Sequence, residues 1–539
     1  MKNLISRRHG AAAMVLAALG IGTAHSFEFD TGNPDLAVRW DNTFKYNYIN
    51  RVERQDQTIL ANANLDDGDR NFGRGTVSNR IDVLSDFDLI YRRTAGFRLS
   101  AAGWYDDAYR HLDNTSVGTS NHLVNGAQAI GLSGATKRYH QGPSGELLDA
   151  FVFGQLDLGE VPVNVKLGRH TTFWGEALLS PIHSLSYGQA PLDLRKAASV
   201  PGVEAKELFM PRNAISAQAQ LTPRLALAVQ YFLDWQPFRI PEAGSYQGAA
   251  DFMLEGGESL ILGPGLLALR GEDVTPKKSG DWGLSTRWRP EALDGTLGFY
   301  YRKTADIAPQ VHVNLSSFTY HMVYPGNIDI LGVSLAKTVG SLSLGAELSY
   351  RKNMPLATDG IAVFALPTQG ETAGPRGNTI HGVANLMGVL PKTPVFDSAN
   401  WIAEVQWNRL SKVTQGESMF TGRADYTGID KATKDYFGLG IVFTPTWFQV
   451  FPGVDLLAPV SVSTGLSGSS AVGGGSKKAG NYSVGLGFDA YQKYRVDLAY
   501  VDTFGPFVTD ANGVITSNSG PSSLTKDRGF VSLMFKTTF

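Results

Sequence analysis

The sequence predicts one all-β domain: a transmembrane antiparallel β-barrel of about 18 strands, with long extracellular loops and short periplasmic turns. Three observations predict this fold. Apolar and polar residues alternate with a period of two in segment after segment. Short and long connections alternate between these segments. The composition also departs from that of soluble domains.

The composition favours a membrane barrel over a soluble enzyme. Of the 539 residues, 60 are glycine, 11% are aromatic and only 18% are charged, whereas soluble domains contain roughly 25% charged residues. The absence of cysteine excludes disulfides, thiolate metal sites and cysteine nucleophiles. A formal net charge of -2 provides no basic surface for nucleic acid. Because the sequence contains no G-x-S-x-G, H-E-x-x-H or P-loop motif, we do not expect an enzyme.

The N-terminus has the features of a secretory signal. Lys2, Arg7 and Arg8 precede a short apolar stretch at 11–23, and Ser26 ends a small-x-small cleavage motif. We therefore expect a signal peptide at 1–26, cleavage between Ser26 and Phe27, and a barrel domain at 27–539. No later run of 18 apolar residues is present, so an exported chain with helical membrane spans is not expected. The predicted location is the outer membrane of a Gram-negative cell, in contact with its lipids and lipopolysaccharide.

The first predicted strand illustrates the alternation. Trp40, Phe44 and Tyr46 lie on one face, and Asp41 and Lys45 lie on the other. Aromatic residues near strand ends are typical of an interfacial girdle, and the charged face is typical of a lumen. We predict strands near 36–49, 80–92, 96–109, 147–158, 161–168, 214–221, 225–236, 281–289, 295–303, 329–338, 341–351, 399–409, 411–420, 434–444, 454–464, 481–489, 494–503 and 528–539. The patterns at 411–420 and 454–464 are the weakest, which leaves about 14 or 16 strands as alternatives.

The connections and the chain end support the same fold. Tight turns are predicted at 93–95, 159–160, 222–224, 290–294 and 490–493, and longer segments separate the resulting hairpins. The last segment, 530–539, alternates and ends on Phe539. A terminal amphipathic strand of this kind is similar to the signal that outer-membrane barrels present to the barrel-assembly machinery, which is therefore an expected partner.

The lumen face of the first four strands carries charges of both signs. A ring of one sign would indicate an ion-selective pore, whereas mixed signs favour ion-pair networks in a narrow or plugged bore. The residues concerned are Asp41, Asp82, Asp86, Asp88, Asp106, Asp149, Asp157, Arg39, Lys45, Arg92 and Arg98.

Several loops are more apolar than exposed loops need to be. Leucines, among them Leu262 and Leu266, surround Gly263-Pro264-Gly265. Phe364 lies in a second apolar group at 361–366, and Met387, Val389 and Leu390 form a third. Large exposed apolar patches usually mark binding sites. We therefore interpret Leu262, Leu266 and Phe364 as ligand-binding residues for an apolar or amphiphilic molecule. The alternative is packing between loops, or a loop folded inward as a plug.

The stretch 167–176 leaves a predicted strand end and supplies two further candidate ligand-binding residues, Arg169 and Trp174. An arginine in the bore is suited to a ligand carboxylate. The alternative is an arginine paired with a carboxylate of the lumen wall.

An acidic stretch in the first loop offers hard oxygen ligands. Asp66, Asp67 and Asp69 surround a glycine, and such ligands suit Ca²⁺. The stretch lacks the full spacing of a calcium loop, and Asx turns are the alternative interpretation. We expect no other cofactor.

Several motifs resemble one Gram-negative family. They are NLDDGDRNF at 64–72, SNRIDVLSDFD at 78–88, AAGWYD at 101–106, LLDAFVFG at 147–154 and LGRHTTFWGE at 167–176, together with the start at Phe27. These segments resemble the outer-membrane barrel family described as domain of unknown function thirteen-oh-two. The resemblance implies an outer-membrane barrel, a periplasmic or lipoprotein-like partner and an inner-membrane exporter of the resistance-nodulation-division type. It supplies no established site residues.

Together these features predict an outer-membrane channel that handles hydrophobic or amphiphilic molecules such as lipids, steroids or aromatic compounds. The family resemblance implies that it is the outer-membrane part of an envelope export system. The alternative is a surface adhesin or a structural barrel whose bore stays closed.

Overall fold

Eighteen segments in which apolar and polar side chains alternate form a closed antiparallel β-barrel in the computed structural model. The structure describes residues 27–539. The predicted signal peptide at 1–26 and its cleavage site lie outside or at the edge of the described residues. Each barrel strand pairs with the next along the chain, and the last strand pairs with the first. The predicted fold class is confirmed.

The barrel strands follow one another in chain order. They are β1 (Leu36–Arg51), β2 (Gly75–Tyr91), β3 (Ala95–Asp106), β4 (Ser144–Leu158), β5 (Val161–His170), β6 (Arg212–Thr222), β7 (Leu225–Phe232), β8 (Trp282–Trp288), β9 (Gly295–Thr304), β10 (Ile328–Val339), β11 (Leu342–Pro355), β12 (Arg376–Leu390), β13 (Ser398–Gln415), β14 (Asp435–Phe451), β15 (Val454–Leu457 continued by Val460–Ser467), β16 (Gly480–Ala490), β17 (Tyr494–Phe504) and β18 (Phe530–Thr538).

The barrel closes between β1 and β18. Asn47 lies opposite Met534 in this pairing. Beyond the end of β18, the backbone N–H groups of Phe539 and Asn42 each donate to the other residue's carbonyl, at 2.9 and 2.8 Å. The short segment Phe27–Phe29 pairs with β1, with Phe27 opposite Trp40. No backbone edge of the ring is therefore left open, as a sheet surrounded by lipid requires.

The two faces of the wall differ as the alternation predicts. Apolar side chains such as Leu331, Val333 and Val405 point outward and are exposed. Charged side chains such as Lys45 and Arg351 point inward and are fully buried. Among the described residues, no helix has the length and apolar character to cross a membrane.

One end of the barrel has short connections and the other has long ones. The short connections join β2 to β3, β4 to β5, and the later pairs in the same way, and both ends of the described chain lie on this side. The long loops occupy 52–74, 107–143, 171–211, 233–281, 305–327, 356–375, 416–434, 468–479 and 505–529.

The strand count is correct, but two assignments behind it are wrong. The segments predicted at 399–409 and 411–420 belong to one strand, β13, which is 18 residues long. The segment 376–390, predicted as loop, forms β12. It was missed because Gly377, Gly382, Asn385 and Gly388 weaken its alternation, and these residue types disfavour strands in isolation. Pairing with β11 and β13 overrides this local preference.

The long loops contain structure of their own. A five-stranded sheet, hereafter the loop sheet, is formed by Ser259–Gly263, Leu266–Arg270, Thr319–Val323, Gln310–Asn314 and Ile361–Val363, in that order. Two-residue strands pair at Leu123–Val124 and Ala127–Gln128, and longer ones at Phe507–Thr509 and Ile515–Asn518. Short helical segments in the long loops span Gln57–Leu60, Asp67–Asn71, Ala108–Arg110, Gly134–Thr136, Lys137–Gln141, Leu194–Ser199, Ala205–Leu208, Glu417–Met419 and Pro521–Leu524. A further one, Glu291–Leu293, lies in the short connection between β8 and β9.

The outward face of β10 allows a test of membrane placement. Val333 lies mid-strand and Val339 at the strand end on the same face. We expect Val333→Arg to weaken folding into lipid vesicles by roughly 2–4 kcal/mol and Val339→Arg by about 1 kcal/mol or less, because the cost of a charge depends on depth. Urea titrations of tryptophan fluorescence in vesicles measure both values. Equal costs for the two variants would contradict a membrane-spanning orientation of β10.

Candidate functional site: the occluded lumen

The loop at 171–211, hereafter the inserted loop, enters the bore of the barrel. Its ion pairs reach three adjacent strands of the wall: Glu207 pairs with Lys45 of β1, Lys206 with Asp86 of β2, and Glu204 with Lys536 of β18 at 2.7 Å. The short helices Leu194–Ser199 and Ala205–Leu208 belong to this loop. A chain segment inside a bore leaves bulk water, so its backbone groups need partners from the wall.

Two glutamates of the wall accept hydrogen bonds from the amides of the inserted loop. Glu347 of β11 accepts from the backbone N–H of Glu176 at 2.7 Å, of Ala177 at 3.3 Å and of Leu185 at 2.7 Å. Glu404 of β13 accepts from the backbone N–H of Leu178 at 2.6 Å and of Leu179 at 3.0 Å. Both glutamates are buried. Hydrogen bonds to an ionised group are stronger than neutral ones, so these carboxylates fix the 176–185 segment.

Arginines of the wall satisfy the carbonyl groups of the same loop. Arg302 of β9 donates to the carbonyl of Leu185 at 2.8 Å and to that of Tyr187 at 2.7 Å. Arg351 of β11 donates at 2.8 Å to the carbonyls of both Ile182 and Ser184. Neither guanidinium forms an ion pair among the described residues; their donors serve the backbone instead. The wall therefore supplies acceptors and donors in matching positions.

Apolar packing also holds the inserted loop against the wall. Leu185, Tyr187 and Leu192 form a buried cluster with wall residues that include Tyr300 and Ile330. Glycines of the wall make room for it. A side chain at Gly332 would overlap Leu185, and one at Gly283 would lie 2.7 Å from the ring of Trp174.

Space remains on one side of the bore. A cavity of about 480 Å³ lies between the inserted loop at 197–202 and strands β15–β18. The wall there carries small residues such as Ser483, Gly485, Ala499 and Ser532, whereas the opposite wall is filled by the cluster described above. A second cavity, of about 690 Å³, extends from Glu176 to the short-turn rim.

The structure separates the two candidate residues of the 167–176 stretch. Arg169 is half-buried, and its Nε donates to the carbonyl of Leu148 at 3.0 Å. Trp174 lies in the inserted loop, where its ring centroid is 6.1 Å from that of Tyr300 and its backbone N–H donates to Gln189 at 2.9 Å. Arg169 thus belongs to the wall and Trp174 to the inserted loop, and their role in ligand binding stays a prediction.

The structure brings the three apolar candidates to one end of the loop sheet. Leu262 and Leu266 flank the first hairpin and are 40% and 44% exposed, and Phe364 is 75% exposed. The strand register places the 315–318 turn at the same end, where Phe318 is also exposed. We refer to Leu262, Leu266, Leu269, Leu315, Phe318 and Phe364 as the apolar rim. Beside it opens a cavity of about 900 Å³ lined by Leu262, Leu267 and Ile515, among others.

The acidic candidates do not stay together. Asp69 forms ion pairs with two arginines: its Oδ1 lies 2.8 Å from Nη1 of Arg51 and 3.3 Å from Nε of Arg528. Asp66 and Asp67 are instead joined by Asp251, a residue of the 233–281 loop that the sequence pattern did not single out. Burial is the largest cause that raises the pKa of Asp67, to about 7, and that raises the pKa of Asp251 well above its ordinary value.

Sequence reasoning also missed the residues that hold the inserted loop. The alternation places Glu347, Arg351 and Glu404 on the polar face of their strands, but it does not identify their partners. Those partners are backbone groups more than 150 residues away in the chain. No local signal in the sequence reports such a contact.

Loss of one wall carboxylate should loosen the inserted loop. Glu347→Ala leaves three amides of the inserted loop without an acceptor; the buried amide of Leu185 costs roughly 1–3 kcal/mol, and the half-buried amides of Glu176 and Ala177 cost less. We expect a lower thermal midpoint and faster proteolysis within 171–211. Circular dichroism and mapped protease cleavage measure these effects. Glu291→Ala, which removes an exposed carboxylate at the short-turn side, serves as the control. Equal protease resistance of the two variants would contradict this role of Glu347.

Three solved structures are among those similar to this chain. OccAB4 of Acinetobacter baumannii is 10% identical with a TM-score of 0.41, and the match covers 93% of this chain and 98% of that chain. A structure of OpdK of Pseudomonas aeruginosa with vanillate is 10% identical with a TM-score of 0.38, and a BenF-like porin of Pseudomonas fluorescens Pf-5 is 9% identical with a TM-score of 0.40. Each of these two matches covers 93% of this chain and 98% of the other chain. No curated protein matches.

The family comparison is decisive for membership. The model of the family described as "Protein of unknown function (DUF1302)" matches residues 7–539, nearly the whole chain. The resemblance seen in the sequence motifs is therefore confirmed, and this chain belongs to the DUF1302 family.

Proposed function

We propose that this protein is an outer-membrane channel whose bore is closed at rest by the inserted loop. The observation that carries the proposal is that a separate loop, the inserted loop, enters the bore and is held there by side chains of the wall. That loop is held by hydrogen bonds to Glu347, Glu404, Arg302 and Arg351, which water can replace. Its release would open the bore without breaking the strand pairing.

The outer membrane is the location that the outside of the barrel supports. Exposed apolar residues cover the outward face in strand after strand, and closed barrels with such a face are typical of that membrane. The contact of the outward face with lipid and lipopolysaccharide, and recognition of the strand that ends at Phe539 by the barrel-assembly machinery, are part of the proposal.

The apolar rim supports hydrophobic or amphiphilic molecules as the substrate class, including lipids, steroids and aromatic compounds. Of its exposed residues, Leu262 lines the cavity of about 900 Å³, a size that suits a small organic ligand. Arg169 and Trp174 lie at the wall and in the inserted loop, where a carboxylate or ring of the same molecule would pass. No catalytic step is part of this proposal.

The energy for directional transport would come from elsewhere, because a barrel in the outer membrane has no access to nucleotides. We propose a periplasmic or lipoprotein partner and an inner-membrane exporter of the resistance-nodulation-division type, as the family resemblance implies. Affinity purification of the tagged barrel from cross-linked cells tests this partnership. Recovery of the barrel without any such partner would count against it.

Opening of the bore is expected when the inserted loop loses its wall acceptors. We expect the double variant Glu347→Ala and Glu404→Ala to conduct ions in planar bilayers at several times the wild-type level, because five loop amides lose their partners. Glu291→Ala is again the control. A double variant that folds and stays as closed as the wild type would favour a structural barrel.

Capture at the apolar rim is tested with a fluorescent fatty acid. Phe364→Ser and Leu266→Ser should each weaken its binding to the detergent-solubilised protein about fivefold, as expected for about 1 kcal/mol of lost apolar burial. Val395→Ser removes an exposed valine on the short-turn side and should have no effect. If all three variants bind like the wild type, the rim is not the capture site.

The second candidate function is that of a surface adhesin. The observation in its favour is the same apolar rim, because Phe364 is 75% exposed on the long-loop side. Attachment of cells that depends on Phe364 but not on an open bore would favour adhesion over transport.

A further inference from the structure

A buried acidic cluster lies where three of the long loops meet. Asp66 precedes the short helix Asp67–Asn71, and Asp251 comes from the 233–281 loop. One carboxylate oxygen from each of Asp66, Asp67 and Asp251 lies within 4.8 Å of the others. Asp527 of the 505–529 loop and Asp69 are buried beside them.

The arginines around the cluster are too few to neutralise it. Arg51 and Arg528 both contact Asp69, and Arg51 also pairs with Asp527 at 3.0 Å. Arg70 pairs with Asp66. Five carboxyl groups therefore face three guanidinium groups, so full ionisation of the cluster leaves two negative charges without a counter-charge. The groups concerned are Asp66, Asp67, Asp69, Asp251 and Asp527, with Arg51, Arg70 and Arg528.

Within the three residues Asp66, Asp67 and Asp251, two buried carboxylate oxygens have no hydrogen-bond partner. Asp66 and Asp251 are both completely buried, and the Oδ1 atom of each lacks a hydrogen-bond partner within residues 27–539. Their other oxygens are used: Asp66 binds Arg70, and Asp251 accepts from the backbone N–H of Asp67 at 2.9 Å. Asn121, whose backbone N–H donates to Asp67 at 3.0 Å, also has a buried side-chain oxygen without a partner. Uncompensated buried charge is costly, so these oxygens point to a missing positive group.

The surrounding backbone holds the cluster in place. Gly68 packs so closely against the turn at 245–248 that a side chain there would overlap the carbonyl of Ser245. Asn71 donates to the carbonyl of Gly244 at 2.9 Å. The loops that carry Asp67 and Asp251 therefore cannot separate easily to let water solvate the carboxylates.

We propose that Asp66, Asp67 and Asp251 bind one divalent cation, Ca²⁺, which neutralises the two remaining charges. The ligand set consists of oxygens only, which suits Ca²⁺ and does not suit Zn²⁺. Ca²⁺ also tolerates irregular geometry better than Mg²⁺, which retains several waters and demands an octahedral site. Two bound protons are the alternative that must be distinguished.

Such an ion would join the 52–74 loop to the 233–281 loop, which also carries part of the loop sheet. Its binding energy would stabilise the long-loop side of the barrel by mass action. This inference is independent of whether the barrel transports, because it concerns only the folded loops.

The test compares the full protein in detergent after EDTA treatment with the same sample in millimolar CaCl₂. Equilibrium dialysis with radioactive calcium should show one ion per chain, and the thermal midpoint should rise with Ca²⁺ more than with equal Mg²⁺. Asp251→Asn should weaken calcium binding by at least about tenfold, since ligand charge tunes affinity. Asp425→Asn, at a highly exposed carboxylate, should leave binding unchanged.

The outcomes are distinct even if Asp251→Asn fails to fold, because the wild-type comparison needs no variant. A wild-type protein that binds no calcium at millimolar concentration, with the same thermal midpoint in EDTA and in Ca²⁺, overturns the proposal and favours protonated carboxyl groups. Calcium bound equally by the wild type and by folded Asp251→Asn overturns the assignment to this site.

Discussion

Everything in this barrel depends on the need of a peptide backbone inside the bore to form hydrogen bonds. A loop that leaves bulk water loses solvent partners for every N–H and C=O group, and each unsatisfied group costs free energy. Here the wall replaces the solvent. Glu347 and Glu404 accept from the amides, and Arg302 and Arg351 donate to the carbonyls. The charged residues of the wall, which would line an open pore, therefore bind the backbone of the inserted loop.

This arrangement joins the chemistry of the wall to the chemistry of the loops. The side of the bore that faces β15–β18 has small residues and retains a cavity, whereas the opposite side is packed by the cluster around Leu185. On the long-loop side, the apolar rim lies on a loop sheet whose own core contains Tyr320 and Met322. The inserted loop is thus held in the bore both by polar contacts, which can exchange with water, and by the apolar packing around Leu185.

Much of the fold was predictable because the order of apolar and polar residues within a strand shows which of its faces is outside and which is inside. Residues two apart share a face, so the apolar outside and polar inside of β1 follow from its own sequence. The prediction failed where this local signal is weak: glycine and asparagine interrupt β12, and the length of β13 suggested two strands. The two errors cancel in the total. The candidate site was less predictable: the exposed Leu262, Leu266 and Phe364 were found from their apolar character, whereas Glu404 was not.

The sequence by itself determined that the chain forms an amphipathic barrel with long loops on one side, because periodicity, turn length and composition are local properties. Only the tertiary structure decided which loop fills the bore, which wall residues hold it, and that Asp251 and not Asp69 joins Asp66 and Asp67. The physical reason is that these contacts join groups distant in the chain. Their partners are backbone atoms or buried carboxylates whose positions are fixed only once the barrel has closed.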